Sequence, residues 1–196
     1  MTESSGFSRR HFLTAATAVT AGAGAAATAV PFVSSFKPSA RAQALGAPVE
    51  RDISRLEPGA MVRVEWRGKA IFIVRRTDAM LEKLSALDDL LADPASDEEQ
   101  QPEYATNEFR SIRPEYLVVE GVCTHLGCAP VARFELGPAD LGADWPGGFF
   151  CPCHGSKFDL AGRVFKSVPA PTNLVVPPHR FVNETTILVG VDTGSA

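Results

Sequence analysis

Cys123-Thr-His125-Leu-Gly-Cys128 and Cys151-Pro-Cys153-His154-Gly-Ser156 hold every cysteine of the chain and two of its four histidines. Six metal-compatible side chains in two tight loops invite a metal, a disulfide or both. Cys123-x-His125 and Cys151-x-x-His154 each offer one thiolate and one imidazole, which leaves Cys128 and Cys153 as a spare pair, one in each loop. Two cysteines with two histidines suit a zinc ion, or a two-iron cluster in which imidazoles replace thiolates on one iron. The spare thiols bear on this choice. Zinc has no use for them, whereas two loops clamping a cluster gain rigidity if bridged.

The segments flanking these loops read as short strands. Met61-Val-Arg-Val-Glu-Trp66 and Ala70-Ile-Phe-Ile-Val74 are rich in strand formers, with Arg67-Gly68-Lys69 as a hairpin connection. Tyr116-Leu-Val-Val-Glu120 delivers the chain to the first loop, and Phe149-Phe150 returns it to the second after 22 residues of mostly irregular connection. Arg163-Val-Phe165, Asn173-Leu-Val-Val176 and a hairpin around Asn183-Glu184 complete the set. Thr77 is expected to cap a helix running to about Ala92, with Met80, Leu84, Leu87 and Leu91 on one face and Pro94 as the stop. Residues 93–108 are acidic and polar, and read as a solvated surface loop, with docking of a basic partner as the alternative. The expected fold is mainly β: a small antiparallel sandwich or barrel over residues 50–196, with one helix-loop insertion and loops 123–128 and 151–158 at one end.

Ser8-Arg9-Arg10-His11-Phe12-Leu13 looks like a twin-arginine export signal, which assigns residues 1–11 to the cytoplasm. Residues 12–36 carry no formal charge. As a helix they would be about 37 Å long, enough to cross a hydrocarbon core of about 30 Å. Alanine, threonine and glycine dominate there, and Pro31 is expected to kink or end the helix. The alternative is a signal peptide cleaved near Ala40-Arg41-Ala42. Residues 37–49, with two prolines and no apolar periodicity, read as a linker. With 45% hydrophobic residues and a net charge of −4, the chain can bury one core and shows no basic run for nucleic acid.

CTHLGC and CPCHGSKFD resemble the disulfide-bearing branch of the Rieske iron-sulfur family, and the resemblance extends over nearly the whole chain. It implies one [2Fe-2S] cluster per chain, with Cys123 and Cys151 on one iron and His125 and His154 on the other. Cys128 and Cys153 would form the bridge, which argues for an oxidising compartment. Leu126 would shield the cluster and line the docking surface, Ser156 would donate to a bridging sulfide, and Phe158 stands where relatives carry a tyrosine donor. Val168-Pro169-Ala170-Pro171 resembles the proline loop that covers the third side, with Val168 in place of a glycine. His154 would accept the hydrogen bond and proton of ubiquinol.

The function so implied is electron transfer within a membrane quinol:cytochrome c oxidoreductase, beside a cytochrome b subunit and a c-type cytochrome, in a dimeric complex. Residues 12–36 would be a retained single-pass anchor in the bacterial inner membrane, residues 37–49 a hinge, and the cluster domain would be periplasmic. The rival is the Rieske small subunit of an exported oxidase such as arsenite oxidase. A soluble Rieske ferredoxin or oxygenase component lacks the spare cysteines and export signal, and a zinc module would be colourless. His11 is assigned to the export signal and His179 to the surface.

Overall fold

The computed structural model describes residues 8–192. The expected cytoplasmic segment 1–11 therefore lies partly outside the described residues, as does the end of the 50–196 domain. The chain divides into two units, Met1–Ala44 and Leu45–Ala196.

In the first unit, α1 (Arg9–Ser35) begins at Ser8, whose hydroxyl oxygen accepts the His11 N–H at 3.3 Å. Threonines 14, 20 and 28 fold their hydroxyls back onto carbonyls four residues earlier, so their polarity is satisfied inside the helix. Pro31, expected to kink or end the helix, does not end it. The helix continues about one turn beyond it, where Ser34 and Ser35 donate to the carbonyls of Pro31 and Phe32 at 2.9 and 2.6 Å. The helical stretch Arg9–Gly46 is long and apolar enough to cross a membrane, with a mean hydropathy of 1.4 over its best window and none of that window buried. Within it α2 (Ala40–Gly46) gives the linker a short helix, capped where the Ser39 hydroxyl accepts the Ala42 N–H at 3.1 Å.

The second unit carries β1 (Val49–Asp52), β2 (Met61–Trp66), β3 (Lys69–Arg75), β4 (Tyr116–Glu120), β5 (Val131–Arg133), β6 (Gly148–Cys151), β7 (Ser156–Phe158), β8 (His179–Asn183) and β9 (Thr186–Val189). They form three antiparallel sheets, ordered β1-β9-β8, β2-β3-β4 and β5-β6-β7. The β2–β3 turn has two residues rather than three: Lys69 already pairs with Trp66, and Arg67 and Gly68 take φ of 51° and 71°. The middle sheet is covered on both faces, which explains the unbroken apolar run of β3. Ile71, Ile73 and Val118 pack with Trp66, Ile187 and Val189 on one side. Phe72, Val74, Leu117 and Val119 pack on the other with Phe149, Phe158, Leu174, Cys123 and Cys151. Cys123 and Cys151 thus sit in the same apolar body as the central sheet.

Four local expectations are corrected. The helix expected from Thr77 to Ala92 is only α3 (Asp78–Leu81), capped by Thr77, followed by a 3-10 segment at Ser85–Leu90. Its carbonyls are claimed from outside: Arg163 donates to Leu84 O at 2.7 Å, Lys166 N–H to Leu90 O at 2.8 Å, and Leu91 bridges Phe165. Residues 163–165 and 173–176 are not strands. The latter bond to three separate segments, through Leu174 N to Gly162 O, Val176 N to Gln100 O and Glu120 N to Val175 O, so no ladder can run.

Residues 93–108 are not a free surface loop, although Asp97, Glu98, Glu99, Glu103 and Glu108 point outward. Asn173 donates to Asp93 O at 3.0 Å, Tyr104 Oη accepts His179 N–H at 2.8 Å, and Ala105 is buried. His179 is buried, not on the surface, with its ring edge-on to Tyr104.

Candidate metal centre

Both loops close by the same device. The Cys123 carbonyl accepts the Gly127 N–H at 2.9 Å, and the Cys151 carbonyl accepts the Gly155 N–H at 2.9 Å. Gly127 and Gly155 have φ of 80° and 79°, a left-handed conformation that glycine adopts without steric cost. The first loop is closed again by Cys123 N–H on Cys128 O at 2.8 Å, and the second by the pairing of Cys151 with Ser156 at the end of β6 and β7.

These closures bring the sequence-selected side chains together. Cys128 and Cys153 form a disulfide between the loops, with Cα atoms 6.6 Å apart. The rings of His125 and His154 meet edge to face, centroids 4.8 Å apart and planes at 85°. Cys123 and Cys151 are free and buried. The sulfurs of Cys128, Cys151 and Cys153 lie within 4.8 Å of one another, but two of these are spent in the disulfide, so this trio is no ligand set.

The donor set fits a metal centre. His125 Nδ1 is buried without a hydrogen-bond partner, a costly position for an imidazole nitrogen unless it ligates something. Burial pushes the Cys151 thiol above its ordinary value; the backbone N–H groups of Cys153 and His154 act against this, and the neighbouring Cys123 thiol adds to it. A cation between the two sulfurs reverses that balance, because thiolates are the ligating form. Two thiolates and two imidazoles serve zinc or two irons equally well by chemistry alone.

Outside the donors, His154 is exposed and Leu126 is 71% exposed, so both stand at the surface end of the site. Ser156 is buried, and its oxygen accepts the Ala170 N–H at 3.0 Å, which leaves its own proton to donate. Phe158 is buried opposite Phe149 and offers no donor. Pro169 is exposed beside buried Ala170. The positive φ of that loop falls on Ser167, at 59°, and not on Val168, so valine is accommodated where a glycine was expected.

Sequence reasoning missed three supports. Thr124 donates to Thr172 O at 2.7 Å and ties the first loop to the proline loop. Gly121 leads into the first loop in contact with Phe72; the glycine itself was the only signal. Three buried arginines hold residues 159–163, which follow the second loop. Arg163 pairs with Asp159 at 2.8 Å, Arg76 donates to Leu160 O at 3.0 Å, and Arg110 donates to Ala161 O at 3.2 Å. The Asp159–Arg163 spacing was visible in the sequence, but Arg76 and Arg110 carried no mark.

Residues 96–179 match the Rieske [2Fe-2S] domain family, and residues 1–39 match a family described as "Ubiquitinol-cytochrome C reductase Fe-S subunit TAT signal". The chain is 62% identical to the ubiquinol-cytochrome c reductase iron-sulfur subunit of Allochromatium vinosum, over 96% of this chain and 91% of that one. It is 46% identical to the subunit of the same name from Blastochloris viridis, over 93% and 92%. The subunit from Cereibacter sphaeroides is 43% identical over 93% and 95%. A solved hyperthermophilic respiratory Complex III overlays with a TM-score of 0.48 at 24% identity, covering 89% of this chain and 97% of that one, a likeness too loose to add to the assignment.

Proposed function

Because the chain belongs to the family of Rieske iron-sulfur subunits of ubiquinol-cytochrome c reductase, we propose that Cys123, His125, Cys151 and His154 are the ligands of its [2Fe-2S] cluster. The single observation that carries this is the unpartnered, buried Nδ1 of His125 beside the His154 ring, in two loops whose remaining cysteines, Cys123 and Cys151, are free and buried. The relatives are named for quinol:cytochrome c oxidoreduction, and the alternative of an exported oxidase such as arsenite oxidase finds no support in them.

When bound, the cluster supplies one-electron acceptance, at a potential in the Rieske range of roughly −150 to +300 mV because imidazoles replace thiolates on one iron. The rest falls to the chain. His154, exposed at the surface end, accepts the hydrogen bond of a ubiquinol hydroxyl on its outer ring nitrogen and holds the proton as the electron leaves the quinol. Leu126 excludes water from that contact and lines the docking surface. The Cys128–Cys153 bridge fixes the two loops at one spacing, and the loop through Pro169 closes the third side. Ser156, buried and with its hydroxyl proton still to give, would donate to the cluster and so favour its reduced, more negative state.

The subunit is membrane-associated, with a twin-arginine leader and an apolar helix. Its relatives' complex supplies a cytochrome b and a cytochrome c1 as partners. We further propose a single-pass anchor at residues 12–36, a hinge at 37–49, a periplasmic cluster domain and a dimeric complex in the bacterial inner membrane. Purification from native membranes in mild detergent tests the whole reading. The expected result is a coloured chain with a Rieske paramagnetic signal, copurifying b- and c-type haem, inhibitor-sensitive ubiquinol oxidation and a mass that retains residues 12–36. A chain without iron and acid-labile sulfide would overturn the ligand assignment, and loss of about forty residues would overturn the anchor.

A further inference from the structure

Of the two free cysteines, Cys151 has its sulfur against the disulfide. The sulfurs of Cys128, Cys151 and Cys153 all lie within 4.8 Å of one another, and Cys128 and Cys153 form the bridge between the loops. Cys123, the other free thiol, stands outside that trio. Thiol–disulfide exchange needs a thiolate, a disulfide sulfur and access from one to the other, and it needs no oxidant. Access here is internal, so the burial of Cys151 does not separate it from its target.

The surroundings of the three sulfurs select the direction of exchange. Cys151 is buried, Cys128 half-buried and Cys153 exposed. A leaving thiolate is best accommodated in water, which favours departure of Cys153 and attack on Cys128. A Cys151–Cys153 bond would have to close around Pro152 alone, whose fixed φ leaves little freedom to reach disulfide geometry. A Cys128–Cys151 bond closes a loop only two residues shorter than the existing bridge, whose partners are 25 apart, so the chain entropy hardly changes. It also still joins the two loops.

We propose that Cys151 is the nucleophile of an intramolecular exchange that closes the site of a chain without its cluster. The Cys151 sulfur bonds to the Cys128 sulfur, the Cys128–Cys153 bond breaks, and its electron pair leaves on Cys153, which takes from water the proton that Cys151 gave up. One disulfide and two thiols stand on each side, so nothing is oxidised or reduced overall. The inference rests on the ligand reading above and deepens it. Cys151 engaged with iron is not free to attack, and Cys151 engaged with Cys128 is not free to hold iron. Burial disfavours the attacking thiolate, so the step is slow and leaves time for loading.

The test uses the full-length chain, loaded or stripped of iron by a chelator, incubated without reductant at about pH 8, where thiol exchange proceeds. N-ethylmaleimide is added to the folded protein, and tandem mass spectrometry locates the label and the disulfide. In the stripped chain the bridge should move to Cys128–Cys151 with the label on Cys153, and iron uptake on reconstitution should fall as that label rises. The loaded chain should keep Cys128–Cys153. A stripped chain that retains the original bridge with Cys153 unlabelled overturns the proposal, as does Cys153 labelling that persists in Cys151→Ser. Should Cys151→Ser not fold, Cys123→Ser decides: it lacks a ligand yet keeps the trio, and an unlabelled Cys153 there overturns the proposal equally. The ligand assignment is judged separately, by iron and acid-labile sulfide in the chain from native membranes, so the two failures are distinguishable.

Discussion

The backbone of Gly121 lies against the ring of Phe72, and a Cβ at position 121 would enter that ring. Phe72 also stacks on Phe149, with ring centroids 5.9 Å apart. Gly121 stands two residues before Cys123 and Phe149 two before Cys151, so one aromatic ring spaces the approaches to both loops. Gly121→Ala is therefore expected to cost about 1 to 3 kcal/mol, the usual range for overpacking a filled core, and to weaken cluster retention. Adding Phe72→Leu should restore part of both losses. Denaturant midpoints of the single and double variants measure this; additive losses would contradict the shared-ring account.

Replacing Cys128 and Cys153 together by serine removes the bridge between the two loops. A disulfide is worth typically 2 to 4 kcal/mol. The double variant should lose its cluster on a time scale of hours while the β2-β3-β4 core stays folded, as followed by visible absorbance against far-ultraviolet circular dichroism. Indefinite cluster retention would show that the bridge does not hold the loops.

Phe158 is wholly buried against Phe149 and presents no hydroxyl. On the ligand assignment proposed above, Phe158→Tyr should supply a donor to the first ligand cysteine. A hydrogen bond to a charged acceptor is worth about 1.5 to 3 kcal/mol, which corresponds to a midpoint raised by about 60 to 130 mV. Redox titration reads it directly, and an unchanged or lower value refutes the assignment of position 158.

His179 should make the domain sensitive to mild acid. Burial lowers its pKa below 6.5, opposed by its bond to Pro177 O at 2.8 Å and by Asp192. The unfolded chain, with an ordinary histidine near 6.5, then takes up the proton first. Stability from this group is complete above about pH 6.5 and is lost as pH falls toward the folded value. His179→Gln should flatten that part of the profile. Urea midpoints at pH 7.5 and 5.5 compare the two proteins, and identical slopes would remove His179 as the cause.

The sequence alone determined the ligand candidates, the spare cysteines, the hairpins at residues 61–74 and around Asn183-Glu184, and the apolar helix, because each is local. Two ligand residues two or three apart, an alternation of period two and a run of uncharged residues need no distant partner to be read. Tertiary structure decided what depended on who bonds whom across the chain. Residues 77–92 favour a helix by pattern, yet Arg163 and Lys166, some 75 residues on, take the carbonyls of Leu84 and Leu90. The acidic look of 93–108 concealed a backbone anchored by Asn173 and His179. Arg76 and Arg110 carried no mark in the sequence, since burial of a cation is a property of its neighbours and of no pattern in its own segment.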